Sequence, residues 1–80
     1  VAQRYELLSL ESHGEWYICQ FAINDHLVEA FWEHKSIRDS YLTEDSFMSY
    51  LRGRADSLLT EFGDIRLRGP IEEQHYGQAA

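Results

Sequence analysis

His26, Glu29 and Glu33 are the first residues of this 80-residue chain whose types and spacing suggest chemistry. On a helix, steps of three and seven residues would bring an imidazole and two carboxylates to one face, a partial metal site. A structural zinc site needs a fourth donor. None stands nearby, because His34 falls on the apolar side of the same helical pattern. No metal and no cofactor are therefore expected.

His13 and Cys19 are the second combination, since a thiol beside an imidazole is a nucleophile. Six residues of extended chain separate them by about 20 Å at roughly 3.3 Å per residue. Cys19 also alternates with Tyr17 and Phe21, which makes it a small buried apolar residue. The sequence holds no glycine-rich phosphate loop and no carboxylate pair in a catalytic frame. No catalytic residue is assigned, and an enzyme is not expected.

Two features point outward. Trp16, Val28 and Trp32 exceed what one small core needs, and tryptophan concentrates binding energy at protein interfaces. Arg54 falls in the middle of an apolar helical arc, flanked by Tyr50, Ser57 and Glu61. A buried arginine needs a partner. Glu61, Glu29, water or an external acid could serve. The interface candidates are therefore Trp16, Val28, Glu29, Trp32, Glu33 and Arg54, the carboxylates forming a polar rim.

These residues need elements to position them. Alternation over 4–11 and 16–23 predicts two strands, joined by a turn at Gly14 into an antiparallel hairpin. Asn24 reads as a helix cap, with Ile23 and Val28 spaced as a hydrophobic staple. A first helix is thus expected over 25–34. Thr43 reads as the cap of a second helix over 44–62, with Leu42 and Phe47 as its staple. Phe47, Leu51, Ala55, Leu58, Leu59 and Phe62 form its inner stripe, and Gly63 closes it. Gly53 inside this helix suggests a close backbone approach. Alternation over 65–68 predicts a short third strand, stopped by Gly69 and Pro70. The fold class is α+β: a small antiparallel sheet on two helices, in the order β-β-α-α-β. Residues 1–70 make one domain and 71–80 a polar, frayed tail. Phe21, Phe31, Leu51, Leu58 and Phe62 should pack together.

Composition narrows the function. The net charge is −7. It argues against direct nucleic-acid binding, which needs clustered Lys and Arg, and against anionic membrane surfaces. Acids dominate residues 1–51, whereas Arg52, Arg54, Arg66 and Arg68 outnumber the acids of 52–69. No apolar run approaches the roughly 20 residues that span a bilayer. One cysteine suits the cytoplasm. The expected function is a small acidic protein-interaction module with a protein partner of basic character. One form is an inhibitor occupying the nucleic-acid-binding surface of a larger protein, as phage anti-defence proteins of this size do. A small enzyme subunit or metal-dependent catalyst, and a structural oligomer-forming domain, are the alternatives. A homodimer is expected, with Trp32 near its centre.

Overall fold

The computed structural model describes residues 2–68. The chain runs β1 (Tyr5–His13), β2 (Trp16–Ile23), β3 (His26–Leu27) and β4 (Phe31–His34), then a 3-10 helix over Lys35–Ser40. Helix α1 (Glu44–Phe62) follows, and a second 3-10 helix covers Ile65–Leu67. The class is α+β, a four-stranded antiparallel sheet with one α-helix. The tail over 71–80 lies outside the described residues.

Strand β2 is the centre of the sheet. It pairs with β1 from Tyr5↔Ile23 to His13↔Trp16, with a bulge between Leu7 and Ser9. Along its other edge β3 faces Ala22 and Ile23, and β4 faces Trp16 through Cys19. So β3 and β4 act as one outer strand broken at 28–30. The β1–β2 turn has Gly14 at φ +61°, in the first central position, as a type II′ hairpin turn requires.

The turn after β2 overturns the first expected helix. Asn24 and Asp25 sit at φ +50° and +70°, the two positive values that a type I′ hairpin turn needs. Asn and Asp are the non-glycine residues that best tolerate this region. The Asn24 carboxamide accepts from the Arg4 N–H at 2.8 Å, and its own N–H donates to the Arg4 carbonyl at 2.9 Å. Asn24 therefore ties the hairpin to the start of β1 and caps no helix. Residues 26–27 and 31–34 are strands, consistent with the preference of Phe and Trp for a pleated surface.

The second expected helix forms over Glu44–Phe62. The Thr43 hydroxyl accepts from the Ser46 N–H at 3.1 Å, and the Ser46 hydroxyl accepts from the Thr43 N–H at 3.3 Å. This reciprocal box satisfies helix-end groups that would otherwise lack partners. Its staple does not form. Leu42 is fully exposed, and Phe47 meets Tyr41 and Tyr17 instead. At the far end the Gly63 N–H donates to the Leu59 carbonyl at 2.8 Å.

The expected third strand over 65–68 is also replaced. The Asp64 carboxylate accepts from the Arg66 N–H at 2.8 Å and curls the segment into a 3-10 helix. Asx side chains favour such local bonds over ladder pairing. The observed order is thus four strands followed by one α-helix, not β-β-α-α-β.

The core forms where α1 crosses the sheet. Cys19, Phe21, Ile23, Val28 and Phe31 from the strands and β3–β4 connection meet Phe47, Leu51 and Ala55. Leu58 and Leu59 pack at its margin, and Phe62 is 45% exposed. Gly53 faces outward with no described atom near an added Cβ, so no close approach requires it. Replacing Gly53 by Ala is expected to raise stability by about 1 kcal/mol, the helix-propensity difference. A higher urea midpoint at unchanged slope would show it.

Candidate interaction surface

With one α-helix instead of two among the described residues, these cover only one face of the sheet. Successive strand residues alternate faces, so the register fixes what the open face carries. His13, Trp16 and His34 form one row across β1, β2 and β4. Glu11, Ile18 and Trp32 form the next. Ser9 and Gln20 follow, then Glu6, Ala22 and Leu27.

The first two rows hold an aromatic cluster. The Trp16 and Trp32 rings are 6.4 Å apart at 81°, an edge-to-face pair. His34 meets Trp16 edge-on at 5.0 Å, and His13 lies 6.4 Å from Trp32. His34 is positioned by its own cap, its Nδ1 accepting from the Ser36 N–H at 3.2 Å. Trp16 is 43% exposed and Trp32 55%. Glu11 adds a carboxylate 3.0 Å from the His13 ring nitrogen. None of the seven Lys and Arg residues lies in a strand. At the opposite end, Arg4, Tyr5, Glu6, Ala22 and Asp25 line a recess of about 380 Å³.

The other candidates are placed elsewhere. Val28 is wholly buried in the core. Glu33 points to the helix side and is nearly buried, with Arg54 as its ion-pair partner. The Tyr50 hydroxyl donates to the same carboxylate oxygen at 2.9 Å. The Arg54 guanidinium also lies over the Phe31 ring, 4.8 Å from its centre. Arg54 is therefore paired internally, to a strand residue rather than to Glu61 or Glu29. Glu29 meets Arg68 at 3.5 Å. Burial and the Glu33 carboxylate raise the Tyr50 phenol above its ordinary range.

Helical spacing no longer relates His26, Glu29 and Glu33. His26 Nδ1 lies 3.3 Å from Asp64. Cys19 and His13 lie on opposite faces of the sheet, and burial pushes the Cys19 thiol up to about 11. That keeps it protonated and unreactive at neutral pH.

Asp64 is the most connected acid among the described residues. Arg66 grips it through Nε at 3.1 Å and Nη2 at 2.8 Å, and the Leu27 N–H donates to it at 3.2 Å. Arg66 Nη2 also donates to the Asp25 carbonyl. The Arg66 contact, opposed by burial and aided by the two backbone N–H groups, holds the Asp64 carboxyl well below the usual range. This clasp ties the segment after α1 to the β2–β3 turn. The unfolded chain takes up the Asp64 proton first as pH falls. The clasp's contribution is thus complete above the ordinary Asp value of about 3.9 and declines below it. Urea midpoints measured from pH 6 to pH 2 should fall more gently in Asp64→Asn than in the parent.

His13, Glu11 and His34 join the two tryptophans only through strand pairing. The signal available in the sequence was Asn24-Asp25 between two apolar stretches, a pair that also suits a hairpin turn and that the helix-cap reading passed over. Comparison with protein-family models, curated proteins and solved structures finds no match to this chain.

Proposed function

We propose that this chain is a non-enzymatic protein-interaction module that docks a basic protein partner on the open face of its sheet. The observation that carries the reading is the exposed Trp16–Trp32 pair on a face that no described element covers. Adjacent tryptophans offer large contact area at low conformational cost, and such residues dominate interface energies. Glu6 and Glu11 on the same face, with no Lys or Arg beside them in the strands, favour a cationic partner. A homodimer across this face is the rival, but it would bring together two surfaces of the same sign. An inhibitor of a nucleic-acid-binding protein, acting in the cytoplasm, is one form the module could take. Several acids elsewhere, namely Asp25, Glu29, Glu33, Glu44 and Asp64, are already held by arginines. Those five are thereby less available for phosphate mimicry than the carboxylates of the sheet face.

The test is capture from a host extract by the immobilised chain. Trp32→Ala and Trp16→Ala should each weaken capture of the parent's partner by about 30-fold, the equivalent of a hot-spot residue. Leu67→Ala, an exposed apolar site outside the tryptophan rows, should leave it intact. Capture indifferent to both tryptophans overturns the reading. Light scattering over a dilution series separates a monomer that binds a partner from a homodimer.

A further inference from the structure

The open face ends at an edge with its own binding capacity. Strand β1 spans nine residues and, among the described residues, pairs only with β2. Its outer side therefore presents backbone N–H and C=O groups without strand partners. The opposite edge is made of the short strands β3 and β4 and is broken between them. Leu7 and Leu8, at the bulge in the middle of β1, are 41% and 42% exposed.

We infer that the outer edge of β1 receives an extended basic segment of the partner as an added strand. The inference rests on the module reading above and names the part of the partner that is recognised. Two independent features select this occupant. The unpaired edge backbone suits a segment in extended conformation, which supplies the complementary hydrogen bonds. The side chains along the open-face side of β1 are Glu6, Ser9, Glu11 and His13, so the flanking positions of an added strand meet carboxylates. The Glu6 carboxylate makes no hydrogen bond or ion pair among the described residues, and it lines the recess of about 380 Å³, which has room for a long cationic side chain.

A second copy of β1 fits this edge less well. It would bring its own Glu6 and Glu11, and no described strand carries a Lys or Arg. Arg4, just before β1, is turned to Asp25 at 2.8 Å. Carboxylates and a bulge are the devices that keep sheet edges from pairing with their own kind. Here the carboxylates oppose self-association and attract a chain of opposite charge.

The probe is a nine-residue synthetic peptide alternating Arg and Thr, added to the ¹⁵N-labelled full chain. Amide shifts and slowed hydrogen exchange should map to Tyr5–His13. Replacing every Arg of the peptide by Glu, or N-methylating alternate backbone amides on the edge-facing side, should each weaken binding by about tenfold or more. Glu6→Gln and Glu11→Gln should each weaken it several-fold, while Glu61→Gln, the same charge change on α1, should not. Equal losses in Glu61→Gln, indifference to N-methylation in either phase, or no binding of the Arg peptide overturns the edge assignment. Shifts confined to Trp16 and Trp32 also overturn it while leaving the module reading standing. That reading falls separately, when the tryptophan variants still capture the host partner.

Discussion

Arg54→Ala is expected to destabilise the fold by about 3 kcal/mol, the lower end of what breaking a buried ion pair costs. The loss has two parts. Glu33 would keep its place beside Phe31 and Tyr50 with no cation to balance it, and a stranded carboxylate is far costlier than a missing contact. The guanidinium also covers the Phe31 ring, so the substitution uncovers apolar surface of the core. Part of the Arg54 side chain is open to water, which keeps the expected cost from rising higher. Urea melts measure it. The double variant Glu33→Leu with Arg54→Leu distinguishes pairing from packing: it should recover most of the loss, since apolar replacements of buried pairs are often near neutral. A single variant as stable as the parent would show that Glu33 finds compensation elsewhere.

Phe47→Ala is the other large effect, expected at about 3–5 kcal/mol for an aromatic ring removed from a packed core. Phe47 sits at the start of α1 against Tyr17 and Tyr41, with the Arg38 guanidinium over its face at 5.6 Å. Its removal unseats the first turn of the one helix that covers the sheet. Phe62→Ala, at the other end of the same helix, should cost under about 1 kcal/mol because its ring is already half in water. The pair tests the burial gradient along α1. Comparable losses at both positions would mean that the last turn packs more tightly than its exposure indicates.

The parts of the fold legible in the sequence were those governed by local rules with one solution. Alternation gave β1 and β2, and Thr43, the inner stripe and Gly63 bounded α1. Asn24 had two solutions. An Asx residue before an apolar stretch can cap a helix or supply positive φ to a two-residue turn. Its bonds to Arg4, twenty residues away, accompany the second, and no local pattern contains that partner. The misplacements over 26–34 follow from this junction. Once 26–34 is strand, Trp32 moves to the open face, Glu33 turns inward to Arg54, and His26, Glu29 and Glu33 lose their shared side. Trp16 and Trp32 were visible as surplus aromatics, but their adjacency depends on the β2–β4 register. Leu42 was misjudged because a hydrophobic staple needs the chain to enter the helix at one angle. The preceding 3-10 helix delivers it at another, with Tyr41 in the place expected of Leu42.

The meander has a consequence for how the chain reaches this structure. Strands β1, β2 and β3 are joined by two-residue turns, and the nearest β2–β4 pair, Cys19↔Phe31, encloses only residues 20–30. Closing short loops takes little entropy, so the sheet can assemble from its own neighbours on the microsecond scale of hairpins. Its inner face would then expose Cys19, Phe21, Ile23 and Phe31 until α1 arrives. The contacts of α1 with the sheet are thus the longest-range ones to form, and a sheet left without them would be the species most prone to aggregate.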